Sequence, residues 1–251
     1  MINKAWLTYN HAFSWNKNEK KILYTFLLLL SSPVVAHDLE GINLDLTRVI
    51  FDSQQNSASI KVNNFNENKS WLLRSWISNY SDDGKSKSFI ITPILYRVLP
   101  NESIQLKIEK TDDLLPTDRE SVFRINVLAI PPKEISNDKT SSKPSDLQFA
   151  INSRIKLIYR PHKLNETDKV NAAFKSLKIL KKNEYISIEN ATPYYITMDN
   201  VKINNKKVTS IEDFMVAPYS EFKIPTQNAK SFSYTTINDY GGKNPIIDIK
   251  F

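Results

Sequence analysis

The sequence predicts an all-β protein of two β-sandwich domains behind an export signal. Three observations carry this: apolar residues recur with period two, polar or proline-bearing breaks part the runs at roughly 8–12-residue spacing, and helical spacing is scarce. The first strand-like runs are Ile42–Phe51, Ser57–Asn63, Leu72–Asn79, Ser103–Ile108, Val122–Ile130 and Leu147–Tyr159. In Ser57–Asn63 the apolar Ala58, Ile60 and Val62 alternate with polar neighbours, so one face is buried and the other wet. Pro161 has no N–H for a ladder and restricts the residue before it, so the long strand must stop there. A second set follows at Tyr185–Asn190, Tyr194–Asn200, Phe214–Ala217, Glu221–Ile224, Phe232–Ile237 and Ile246–Phe251. The expected organisation is a signal over 1–36, one domain over 37–160 and a second over 161–251.

The signal rests on a charged stretch at Asn18-Glu19-Lys20-Lys21, an apolar core from Ile22 to Leu30, and small residues at Val34-Val35-Ala36, where cleavage is expected. A Ser-Ser-Pro interruption makes the core too short to span a membrane, which needs about 20 apolar residues, so no stable insertion is expected after cleavage. One short helix or turn is expected within Val170 to Lys182, where Val170, Ala173, Phe174, Leu177 and Leu180 recur at three and four; an extended Lys178-Ile-Leu-Lys is the alternative. The segment Lys133 to Asp146 is polar and proline-bearing, with little to bury, and is expected to be mobile in the free protein.

Composition narrows the function classes. The formal charge of +7 falls to +4 without residues 1–36, which hold four lysines and one glutamate; 30 basic and 26 acidic residues remain, well interspersed. A nucleic-acid partner would call for clustered cations, so none is expected. Four glycines in the whole chain leave little for phosphate-cradling loops, and Gly84-Lys85-Ser86 lacks the first glycine of such a loop. Only His37 and His162 survive signal removal, too few for a histidine-based metal or nucleophilic site, so no enzyme, cofactor or metal is expected. Export without any cysteine leaves stability to packing and suits a compartment where thiol chemistry is optional, such as a bacterial periplasm.

One stretch is specific. Leu115-Pro116, Asp118-Arg119-Glu120-Ser121, Phe123, Asn126-Val127 and Ile130-Pro131-Pro132 resemble, position for position, the signature of the periplasmic pilus assembly chaperones of the chaperone–usher pathway. Leu44–Phe51, Ile155–Pro161 and Asn238–Gly242 are similar to that family's first strand, its last strand with the hinge, and its C-terminal domain. The resemblance implies two immunoglobulin-like β-sandwich domains set at an angle with a cleft between them. It implies a chaperone that binds and caps pilin subunits one-to-one by lending them a β-strand, then delivers them to an outer-membrane usher; a self-capping dimer of the free protein is left open. Carried over by residue, Arg48 and Lys156 are the cations for a pilin's terminal carboxylate, a forked guanidinium and a point charge. Leu147, Phe149 and Ile151 are the apolar side chains that would fill the client's groove, although the same alternation would serve the chain's own core. Glu120, Arg160 and Asp239 are the trio that bridges the domains. Family members with a long strand-connecting loop carry a cysteine pair, so this chain resembles the short-loop subgroup.

The alternative class is an exported β-sandwich adhesin or structural fimbrial component, which would be found at the cell surface. A lent strand is also an aggregation hazard, and Lys139, Lys143 and Pro144 beside it read as gatekeepers. Neutralising Lys139 and Lys143 is expected to increase self-association by light scattering, and unchanged scattering would remove that role.

Overall fold

The computed structural model describes residues 41–111, 114–132 and 149–251. The signal, the segment Lys133 to Asp146 with its lysines, and Leu147 lie outside the described residues. Among the described residues, nine strands form the first sandwich. One sheet runs β1 (Ile42–Leu44), β3 (Ser57–Asn64), β7 (Ser103–Lys110) and β5 (Phe89–Thr92). The other runs β2 (Arg48–Asp52), β9 (Ile151–Arg160), β8 (Ser121–Ile130), β4 (Trp71–Asn79) and β6 (Leu95–Val98). Between them lies a core that includes Phe51, Ile60, Leu73, Phe89, Leu106, Ile125 and Leu157, with Phe51 and Phe123 both edge-on to Phe89 at 5.2 and 5.0 Å. Alternation puts them there: in β3, Ile60 and Val62 turn inward while Lys61 stays exposed.

The expected run Ile42–Phe51 is two strands. β1 joins one sheet and β2 the other, and the break at 45–47 lets the chain change sheets. A second crossing comes at Pro93, where β5 pairs with β7 and β6 with β4. Period-two alternation does not mark β5 and β6, because Ile90, Ile94 and Leu95 are apolar on the wet side.

The second sandwich holds β10 (Lys178–Lys181), β11 (Tyr185–Asn190) and β15 (Ser220–Pro225) in one sheet. Opposite lie β13 (Lys206–Lys207), β12 (Ile196–Ile203), β16 (Ser231–Thr236) and β17 (Ile247–Lys250), with β14 (Met215–Val216) also paired to β12. Its core includes Ile186, Ile188, Ile196, Val216, Phe232 and Tyr234. The helix expected within Val170 to Lys182 is cut in two. α1 covers Thr167–Ala173, and Lys178–Lys181 extends as β10 to pair with β11, the sheet edge winning over helical spacing.

A hydrogen-bonded hinge joins the sandwiches. β9 ends at Arg160, Pro161 follows, and Asp52 of β2 gathers the next turn: its carboxylate accepts from the Gln54 amide (2.9 Å) and Asn165 Nδ2 (2.7 Å) and lies 3.0 Å from His162 Nδ1. Burial opposes ionisation of Asp52. The bonds from Gln54, His162 and Asn165 outweigh it and hold the carboxyl below its usual 3.8. A carboxyl with a depressed folded-state value stabilises above the unfolded value and loses that contribution as pH falls through the folded one. Asp52→Asn is therefore expected to flatten the loss of stability below about pH 4 seen in denaturant midpoints, an acid limb as steep as the parent's being the contrary result.

Candidate functional site

Three rungs of the β2–β9–β8 ladder face the second sandwich. Because strands in register share side-chain direction, Arg48, Lys156 and Arg124 form one row, Ile50, Ile158 and Val122 the next, and Asp52 and Arg160 the third, with Glu120 just before β8. Successive rows lie about 7 Å apart, so the cationic row stands about 13 Å from Arg160 along β9.

The third row holds the domains together. Arg160 donates from Nε to Glu120 at 2.6 Å, and from Nη1 and Nη2 to Asp239 at 2.7 and 2.9 Å, so one guanidinium ties a carboxylate from each domain. Its side chain is 3% exposed and that of Glu120 1%. Burial pushes the Glu120 carboxyl up against the pull of Arg160 and the Tyr195 amide; at Arg160 burial works to release the proton, and the Asp239 and Glu120 carboxylates together overcome it and hold the proton more firmly than usual. Glu120 also accepts from the Tyr195 amide at 2.7 Å, and its own amide donates to the Pro193 carbonyl at 2.9 Å. Beside it Asp118 pairs with Arg119 at 2.8 Å, and Arg119 lies over the Tyr219 ring of the other domain at 5.0 Å. The run Asp118-Arg119-Glu120 is therefore a docking strip.

Asp239 is presented by a tight loop. The Asn238 side chain accepts from the Tyr240 and Gly242 amides at 3.0 and 2.9 Å, and Gly241 turns at φ +83°, a conformation that favours glycine. A Cβ at Gly241 would overlap the Thr47 hydroxyl of the first domain, so the residue is also a point of close approach.

The cationic row is asymmetric. Arg48 is 8% exposed; burial lowers its pKa against the pull of Asp239, Asp213 and Glu120. Its Nη1 reaches the Ile237 carbonyl only at 3.5 Å, and its buried Nε has no hydrogen-bond partner among the described residues. A buried guanidinium so poorly satisfied has a strong demand for an anion. Lys156, by contrast, is ion-paired with Asp213 of the second domain, Nζ to Oδ1 at 3.1 Å. Asp213 and its other partner, the Tyr80 hydroxyl, carry no motif or periodicity, and sequence reasoning missed both.

β9 has an open edge. β2 pairs only with Lys156 to Arg160, so from Ile151 to Ile155 the described strand is bonded on its β8 side alone. Along this edge Ile151 is 54% exposed and the preceding Phe149 72%. They share the phase of the core residues Leu157 and Tyr159, yet do not reach that core. Leu147, of the same set, is outside the described residues.

Family comparison matches residues 41–165 to the domain described as "Pili and flagellar-assembly chaperone, PapD N-terminal domain", and residues 172–247 to "Pili assembly chaperone PapD, C-terminal domain". Among curated proteins, the chaperone protein FimC of Escherichia coli is 37% identical, over 87% of this chain and 88% of its own length. Among solved structures, the periplasmic chaperone SfaE superposes with a TM-score of 0.69 at 34% identity, covering 83% of this chain and 98% of its own. A chain of the Salmonella enterica SafA pilin–SafB chaperone complex gives 0.71 at 25% identity, with coverages of 86% and 99%.

Removing one partner from a buried pair strands the other charge. Arg160→Met is therefore expected to cost about 3–5 kcal/mol in denaturant unfolding, and Asp239→Asn, at a carboxylate 21% exposed, clearly less. A loss below about 1 kcal/mol for Arg160→Met would show that the junction does not depend on this guanidinium.

Proposed function

The chain belongs to the pili assembly chaperone family, and on that premise we propose that it caps pilin subunits in the periplasm by adding its β9 edge to their incomplete fold, then passes them to an outer-membrane usher. The observation that carries this reading is the end-to-end arrangement on one strand: an unpaired edge with exposed Phe149 and Ile151, closed off where β2 begins by Arg48 and Lys156 on a single rung.

A client strand lying along Ile151 to Ile155 takes up the free main-chain groups, and its apolar groove receives Leu147, Phe149 and Ile151. Its terminal carboxylate meets Arg48, which forks onto both oxygens, and Lys156, which adds a compact charge. Register follows from this end, because a strand held by its last residue cannot slide. The Arg160 junction, with Glu120 and Asp239, keeps the second sandwich over the cationic row. The organisation proposed is a cleaved signal over 1–36 and domains over 37–160 and 161–251. Without a client, two copies capping each other's exposed edges would satisfy the same groups.

The test is Lys156→Ala, with periplasmic accumulation of co-expressed subunits as readout. The expected outcome is a folded chaperone that no longer retains subunits, with binding weakened by about 2–5 kcal/mol. Normal piliation would overturn the anchor role.

A further inference from the structure

Lys156, the middle of the three cations on the rung that ends the open edge, already holds a carboxylate: Asp213, from the segment 208–214 before β14. The pair lies at the cleft surface, with side chains 19% and 30% exposed, so solvent and a ligand can reach it. Asp213 is itself held in place. Its second oxygen accepts from the Tyr80 hydroxyl, and the Tyr80 ring lies under the Arg124 guanidinium at 4.1 Å. Arg124 in turn lies 3.4 Å from Asp83, which also pairs with Arg154. The row thus carries its own acids at Arg124 and Lys156, but Arg48 has no ion-paired carboxylate among the described residues.

We propose that the Asp213 carboxylate is a built-in competitor for the client's terminal carboxylate: it occupies Lys156 in the free chaperone and must give that lysine up when a client binds. The inference rests on the reading of Arg48 and Lys156 as a carboxylate anchor. Engagement then begins at Arg48, and Lys156 exchanges Asp213 for the incoming carboxylate. Asp213 keeps its bond to Tyr80, leaving a negative charge beside the new one. That repulsion sets a threshold: clients with good groove contacts along β9 pass it, and chains offering only a free carboxylate do not. The acid therefore raises specificity at a cost in affinity, an arrangement in which a repulsive element does the selecting. It also covers the lysine in the client-free protein.

The test uses a fluorescein-labelled nonapeptide of alternating valine and threonine, prepared with a free C-terminal carboxylate and as the amide, and binding by anisotropy to the full chaperone. Asp213→Asn keeps the size and the bonding to Tyr80 but removes the charge. It is expected to tighten the free-acid peptide about three- to tenfold and leave the amide unchanged. Tyr80→Phe, which removes one hydroxyl and loosens Asp213, is expected to shift binding the same way by less. Acid binding that is unchanged or weaker in Asp213→Asn, while Lys156→Ala still abolishes the preference of acid over amide, overturns this inference alone. If wild type and Asp213→Asn both bind acid and amide alike, the anchor reading falls and the competitor with it.

Discussion

The junction between the two sandwiches is built around one buried guanidinium. Arg160 stands at the end of β9, between Glu120 of its own domain and Asp239 of the other, almost without solvent. A forked cation with three short bonds to carboxylates of both sandwiches has one good geometry, and so favours one angle between them. Desolvation makes it a poor source of net stability and a strong source of specificity: any other angle leaves a charge buried and unpaired. The turn at Gly241 against Thr47 and the main-chain bond from Glu120 to Pro193 serve the same end.

Much of this was legible in the sequence. Alternation marked most strands of both sandwiches, because each has one wet face, and Asp118 to Ser121 with Asn238 to Gly242 carried the junction residues by resemblance. What escaped did so for physical reasons. β5 and β6 put Ile90 and Leu95 on the solvent side, with Ile94 exposed between them, so no alternation appeared. Lys178 to Lys181 left helix and extended strand both open in the sequence, and the edge of β11 decides for the strand. Asp213 meets Tyr80 across 133 residues, from a segment with no periodicity, and a pairing of that kind exists only once both domains have formed.

The β9 strand shows where pattern reading stops. Phe149 and Ile151 have the same phase as Leu157 and Tyr159, and nothing in their spacing separates a core residue from one that waits outside. The separation comes from the length of the neighbours: β2 covers the strand only from Lys156 onward. An unpaired, apolar edge of this kind is costly to leave in water and prone to aggregate, which is why its exposure points to a partner.

The parity of β9 has a last consequence. Lys156 faces one side of the sheet, and Phe149 and Ile151 face the other, with an odd number of steps between them. On the proposed reading the strand would work as a vernier, the end stop and the apolar teeth locked at fixed phase, roughly 17 Å from Lys156 to Ile151 along β9. A client one residue longer or shorter between its terminus and its groove would arrive with every side chain reversed. On the proposed reading, a single-residue insertion there would thus be not a graded error but a complete inversion, and a rigid two-sided strand would reject it without inspecting any one side chain.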